Sequence, residues 1–286
     1  MDYDNLLGGI VELIRKAVID LPDDVTSALE KASKIEKDIA KIQLDNILKN
    51  IDIAKKTKRP MCQDTGILHF FVEIGTDFPY KKNLKELIIK AVKKATKTVP
   101  LRPNTVDPFN GKNSENNIGN YLPSIYLDLK EGDDASIEVF PKGGGSENVS
   151  KLKMFKPGDS IEHIKDFVVN HIVNVGGSPC PPTVVGVGIG GSSVLSLILA
   201  QKALLRPVGE RNKNKKIANI EEELIRRINK SGIGPMGLGG NTTVLDVHIE
   251  KAHRHPASLP VGIMVQCWAN RRAKMVIHSD LYWELI

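Results

Sequence analysis

At 286 residues, 41% hydrophobic and 26% charged, the chain has the make-up of a soluble globular protein with length enough for a sizeable core. Its net charge of +6 gathers in clusters such as "KKTKR" and "RNKNKK", but aromatics are 5% and none alternate with them, which argues against nucleic-acid binding and leaves a lysine-rich surface or an anionic small substrate. No apolar run approaches the ~20 residues of a membrane span, and the acidic-led start "MDYDNLLGGIVELIRKAVID" is unlike a signal peptide, so a cytoplasmic location is expected.

Residues 5–56 read as helical, with apolar side chains at three-and-four spacing and a break at Pro22. A second amphipathic helix is predicted over 82–99, ended by Pro100. The stretch "LRPNTVDPFNGKNSENNIGN" has no periodicity, and irregular loops of that length in compact domains are commonly functional. "PSIYLDL" and "ASIEVFP" read as two strands joined around Glu131–Asp134 in a hairpin-like unit. A helix follows over 160–174, capped by Asp159 or Ser160. "TVVGVGIGG" is a short strand leading into the helix "SVLSLILAQKALL". Residues 219–230 are helical, and "TVLDVHIEKA" and "PVGIMVQCWA" read as strands. No repeat, low-complexity segment or linker stands out. The expectation is one mixed α/β (α+β) domain over 1–286, helical to about residue 56, with sheets flanked by helices.

"GVGIGG" places Gly186, Gly188 and Gly191 in a G-x-G-x-x-G pattern between strand and helix, with Glu210 where a ribose-binding acid would stand. The match to a dinucleotide fingerprint is weak. Pro181 and Pro182 cut the strand short, and no second apolar strand carries Glu210. A glycine turn between strand and helix fits better.

The cysteines share a setting. Cys62 lies in "PMCQDTG" and Cys180 in "GGSPCPPT", both rich in turn formers, while Cys267 ends the apolar strand "VGIMVQCWANRR". An odd count argues against a disulfide framework, and no CxxC spacing exists. Three separate free thiols, a zinc site of three cysteines and a histidine, and an iron–sulfur cluster all remain open. The cluster is the sharpest of the three. Three thiolates on a cubane leave one iron open to act as a Lewis acid on a substrate carboxylate and hydroxyl. Cys62-Gln63-Asp64 then sets a ligand, a hydrogen-bonding amide and a carboxylate side by side.

Other segments suit a dicarboxylate. "FPKGGGSEN" lets backbone N–H groups approach an anion closely. Arg102, in "VPLRPNT", has its backbone stiffened by prolines on both sides, which favours a carboxylate fork. "KAHRHP" brings His253 and His255 after a strand. The end "HSDLYWELI" clusters Tyr282, Trp283, Leu285 and Ile286, an apolar tail that docks on its own domain or on a partner.

Together, "MCQDTG", "KGGGSEN", "SPCPPTVVGVGIGG", "GPMGLGGNTT" and "VQCWANRRA" resemble the class I iron–sulfur fumarases and the related L-tartrate dehydratases, from about residue 55 to the C-terminus. The match is to the alpha subunit, or to the N-terminal part of the single-chain enzymes. The resemblance implies a [4Fe–4S] cluster with one non-cysteine-ligated iron, held by Cys62, Cys180 and Cys267, on a site built on loops. It implies Asp64 as a proton-transfer residue, with Gln63 and Arg102 contacting substrate. Gly145, Ser146 and Asn148 fall in its glycine-rich substrate loop, and His255 matches a histidine near the cluster. The implied reaction is reversible hydration of fumarate to L-malate, with dehydration of L-tartrate as the alternative. A dinucleotide-dependent oxidoreductase and a non-catalytic assembly protein are the competing classes. Single-chain members continue into a second domain with further basic residues and a threonine acid/base group. This chain has no counterpart, so a beta subunit is expected to complete the site, as an α2β2 assembly.

Overall fold

The protein is described by a computed structural model covering residues 3–286. It divides into two compact units, neither a contiguous stretch of chain. The first comprises Met1–Pro22, Asn50–Gly144 and Arg271–Ile286, and the second Asp23–Lys49 and Gly145–Asn270. Among the described residues no helix is long and apolar enough to cross a membrane.

The N-terminal helical stretch is three helices: α1 (Tyr3–Ile19), α2 (Asp23–Ile35) and α3 (Asp38–Thr57). Pro22 makes the first break, as expected. A second break at Glu36–Lys37 has no glycine or proline to announce it. Glu36 is buried, and its carboxylate accepts hydrogen bonds from the main-chain N–H groups of Asn241 (2.8 Å) and Thr242 (2.6 Å). The chain leaves the helical path where that carboxylate is spent on a distant loop.

In the first unit, β1 (Ile67–Gly75) is followed by α4 (Lys81–Thr98), β2 (Ser124–Lys130) and β3 (Ala135–Lys142). Two short strands, β8 (Ala273–Ile277) and β9 (Trp283–Leu285), complete a sheet of order β2-β1-β3-β8-β9. The apolar stripes of α1 (Leu6, Ile10, Leu13, Ile14) and α4 (Leu84, Ile88, Ala91, Val92) pack with Phe70, Val72, Ile137, Val139 and Met275 into one core. The expected β2–β3 hairpin is not formed. β1 lies between the two strands, parallel to β2 and antiparallel to β3. "ILHFFVEIG" is the most apolar of the three and takes the central position, and the β2–β3 connection passes over its end. Gly75 allows that crossing, since a Cβ there would lie 2.3 Å from the Gly132 carbonyl oxygen. The C-terminal tail docks on its own unit. β9 pairs with β8, and the Trp283 ring lies where a Cβ on Gly9 would stand (2.5 Å).

In the second unit, the short α5 (Gly144–Glu147, whose first residue belongs to the first unit) and β4 (Lys151–Phe155) precede α6 (Ile161–Val175). The N-cap of α6 is Ser160, whose Oγ accepts from the His163 N–H at 3.4 Å. Next come β5 (Thr183–Gly191), α7 (Ser193–Ala203), α8 (Lys215–Asn229), β6 (Val244–Arg254) and β7 (Leu259–Gln266), with sheet order β4-β7-β5-β6. Alternation along β5 explains its sequence. Val185 and Val187 join the core with Val168, Leu224 and Ile228, while Gly186 and Gly188 face α7. A Cβ on Gly188 would lie 1.9 Å from the Ser196 carbonyl oxygen, and one on Gly186 2.0 Å from that of Ala200. These glycines let a helix backbone rest on the strand. The fingerprint reading also fails at Glu210, which is exposed in a turn rather than at a strand end. Buried Glu221 pins the segment around that turn, taking Arg206 Nη1 at 2.8 Å and the N–H groups of Asn212 and Ile249.

Candidate active site

The stretch "RPMCQDTG" is a turn held at both ends. Met61 is buried, its N–H donates to the Val18 carbonyl (3.0 Å), and its own carbonyl accepts from Asn50 Nδ2 (2.8 Å). At the far end Gly66 takes φ +81°, and a Cβ there would lie 2.8 Å from the Lys142 main chain. Between these anchors Cys62 is half-buried and Gln63 is exposed. Asp64 is tightly held. Oδ1 accepts from the Gly66 N–H (2.9 Å) and from Asn104 Nδ2 (3.0 Å), and Oδ2 accepts from the Gly144 N–H (2.8 Å). The KGGG segment therefore meets the carboxylate through its backbone.

The aperiodic loop supplies the other half of this arrangement. Thr65 Oγ1 accepts from the Arg102 N–H (3.0 Å). Asn117, buried and with φ +60°, donates from Nδ2 to the Arg102 carbonyl (3.1 Å) and accepts at Oδ1 from the Asn104 N–H (2.7 Å). The Arg102 backbone is thus pinned from two sides, while its side chain is exposed with no ion pair among the described residues. Arg271 Nη1 donates to the Asp64 carbonyl at 2.9 Å. Asn104, Asn117, Thr65 and Arg271 were not singled out by sequence reasoning. Their only sequence signals are the asparagine-rich loop and the arginines of "VQCWANRRA".

In the second unit, Cys180 lies just before β5 and Cys267 just after β7, and Val184 of β5 pairs with Gln266 of β7. Both cysteines therefore stand at one end of the four-stranded sheet. The Trp268 N–H donates to the Cys180 carbonyl (3.1 Å), tying the two loops together. The "GPMGLGG" segment braces the same loop. The Met236 N–H donates to the Pro181 carbonyl (2.8 Å), and Gly237 at φ +76° packs so closely on Gly177 that a Cβ would lie 2.6 Å from its Cα. Gly145 lies near the Ser178 carbonyl (3.3 Å from a Cβ built on it), Ser146 is buried with Oγ 3.2 Å from Gln266 Oε1, and Asn148 is exposed. His255 is not brought to these cysteines. It sits in the β6–β7 turn, with the eight residues of β7 between it and Cys267, roughly 25 Å at a strand's rise of ~3.3 Å per residue.

Charge around the first unit's sheet is uneven. Glu138 on β3 stands opposite Lys274 of β8. Burial pushes its carboxyl up to about 7, against the pull of Lys274 and Arg272, with Glu73 adding to the rise.

Among the described residues no group of three or more His, Cys, Asp or Glu side chains is gathered to hold a single metal ion. The donor chemistry is nonetheless that of an iron–sulfur group. None of the three cysteines is in a disulfide, each is half-buried on a turn or strand end, and thiolates are the soft ligands such clusters take. Each cysteine of a cubane binds a different iron, so its thiols stand farther apart than donors around one ion. Asn270, three residues after Cys267, is 0% exposed, and neither its amide oxygen nor its nitrogen has a partner. Buried amides are ordinarily satisfied, so among the described residues this one has hydrogen-bonding capacity to spare.

The chain was compared with known proteins. The family model "Fumarate hydratase (Fumerase)" matches residues 9–276. A protein of Methanocaldococcus jannaschii named "Putative L(+)-tartrate dehydratase subunit alpha" is 54% identical over 276 residues, 95% of this chain and 97% of that one. The "L(+)-tartrate dehydratase subunit alpha" of Escherichia coli K12 is 40% identical over 270 residues, 92% of this chain and 88% of its own length. That of Shigella sonnei matches to the same extent. With the family model covering nearly the whole chain and these relatives alike over most of their length, the protein belongs to the fumarate hydratase (Fumerase) family of hydro-lyases.

Proposed function

We propose that this chain is the alpha subunit of an iron–sulfur hydro-lyase that adds and removes water across a four-carbon dicarboxylate, fumarate and L-malate being the pair. The observation that carries this reading is the Asp64 turn. A carboxylate fixed by three donors sits two residues from Cys62 and shares a hydrogen-bonded framework with the main chain of Arg102. Dehydration of L(+)-tartrate is the second reading, favoured by the names of the relatives above.

In this proposal Cys62, Cys180 and Cys267 would hold a [4Fe–4S] cluster, and the unsatisfied amide of Asn270 would be available to it. When bound, the cluster supplies a Lewis acid that turns the substrate hydroxyl into a better leaving group. The chain's own residues do the rest. The exposed guanidinium of Arg102 takes a substrate carboxylate in a two-pronged hydrogen bond. Gln63, exposed beside Cys62, donates its amide to the same substrate. Asp64 moves a proton, and its three fixed donors keep its oxygens from swinging away between turnovers. Gly145, Ser146 and Asn148 line the approach. A beta subunit provides the remaining carboxylate-binding groups and the partner acid/base, in an α2β2 assembly.

The test is direct. The chain is produced with its partner subunit, loaded anaerobically with iron and sulfide, and assayed on fumarate, L-malate and L(+)-tartrate. Turnover of fumarate and malate by the complex, with none by the lone chain, is expected. Turnover of tartrate alone selects the second reading, and full turnover by the lone chain overturns the split site.

A further inference from the structure

Arg271 is 1% exposed, and a guanidinium keeps its charge at any physiological pH. A buried charge is strongly unfavourable unless an anion neutralises it. Among the described residues its side chain has one polar partner, the main-chain carbonyl of Asp64, which takes Nη1 at 2.9 Å. Among the described residues no carboxylate is in direct contact with the guanidinium, and Nε is buried with no acceptor.

A buried glycine stands beside the guanidinium. A Cβ on Gly143 would lie 3.7 Å from Arg271 Nη2 and 3.0 Å from Asp64 Oδ2. The absent side chain is what lets the guanidinium and the Asp64 carboxylate both approach this point of the main chain. We propose that Arg271 is a substrate-binding residue, its Nε–Nη2 edge taking one carboxylate of the dicarboxylate beside Gly143. The assignment rests on the hydro-lyase reading and gives this chain a second guanidinium for a substrate with two carboxylates. A carboxylate gains negative charge as a proton leaves the carbon next to it. A fixed cation then binds it more tightly in the transition state than in the ground state. Asp64, the proton-transfer group, lies against the same glycine.

An iron–sulfur cluster on three thiolates is also anionic, so the experiment separates the two sources of negative charge. Wild type, Arg271→Gln and Arg271→Lys are prepared as the cluster-loaded complex with the partner subunit. Binding of L-malate and of L-2-hydroxybutyrate, which lacks the far carboxylate, is measured by equilibrium dialysis, which counts bound carbon whether or not the ligand is turned over. Iron content and cluster midpoint potential are recorded without ligand. Arg271→Gln is expected to weaken malate about a hundredfold, as loss of one partner of a buried charge pair does, and hydroxybutyrate less than threefold. Arg271→Lys recovers part of the malate affinity, and iron content and potential hold in both variants. Equal losses for the two ligands, as from a displaced Asp64, overturn the proposal. So does unchanged malate binding with a shifted potential or lost iron, which assigns Arg271 to the cluster. A wild-type complex that binds neither ligand removes the hydro-lyase reading itself, whereas wild-type binding with an unaffected variant removes only Arg271.

Discussion

Two glycine-rich stretches of this chain look alike and do opposite work. "GVGIGG" fits a nucleotide-binding pattern better than "KGGG" fits anything, yet its first two glycines exist to let α7 rest on β5. Their absent Cβ atoms would collide with main-chain carbonyls at 1.9 and 2.0 Å. At Gly143 the absent Cβ would meet a carboxylate oxygen and approach a guanidinium, the chemical groups of the candidate site. At Gly186 and Gly188 an added Cβ would strike backbone, which marks packing, whereas at Gly143 it would press on the charged groups that the proposal assigns to substrate. Pattern alone does not separate the cases.

Substitutions can break or sharpen that contrast. The largest effect is expected beside the KGGG segment. Asp64→Asn should cut kcat a hundredfold to ten-thousandfold, the range for loss of a proton-transfer group, while iron content holds and the melting temperature falls only modestly, since one of its N–H donors loses its acceptor. Near wild-type turnover would remove Asp64 from that role. Gly188→Ala should act on stability alone. Its Cβ must displace the α7 backbone, a loss of about 3 kcal/mol seen as a lower urea midpoint, by analogy with overpacked cores. Gly143→Ala should reverse the pattern, with an ordinary urea midpoint and kcat/KM reduced about tenfold, since the methyl intrudes beside Asp64 and Arg271. If both glycine variants lose stability equally, the distinction drawn here is wrong.

A further effect is set by pH. Glu138 titrates at about 7 in the native protein against an ordinary 4.5, so below pH 4.5 it is protonated folded or unfolded and contributes nothing. Between 4.5 and 7 the unfolded chain releases the proton first, and stability falls as pH rises, by at most about 3 kcal/mol at ~1.4 kcal/mol per unit. Above 7 the loss is complete. Urea unfolding of the isolated chain at pH 5 and pH 8 should show that fall, and Glu138→Gln should remove most of it. A variant with the wild-type slope would contradict the assignment.

Much of the fold is legible where one element obeys one rule. α4 is read from its stripe and Pro100, α6 from its Ser160 cap, and the β5–α7 pair from an apolar run ending in glycines. The misses have a common physical origin in long-range competition. β2 and β3 are consecutive and look like a hairpin, but "ILHFFVEIG" displaces that local pairing by taking the place between them. The break after α2 depends on where Glu36 finds its hydrogen bonds, some two hundred residues away. At the candidate site the chemistry-bearing residues of the Cys62 turn stand out because a cysteine, an amide and a carboxylate are unusual company among turn formers. Asn104, Asn117 and Arg271 do not, since their roles exist only once the loop folds back on Asp64. His255 shows the converse, close in sequence to Cys267 and a strand's length away in space.

The most direct test of the account is metal analysis of the complex purified without oxygen. With Cys62, Cys180 and Cys267 as the proposed ligands of one cubane, about four iron and four acid-labile sulfide are expected per alpha chain, with serine at any of the three cysteines removing most of both. Zinc in place of iron, or full iron retained by all three serine variants, would contradict it.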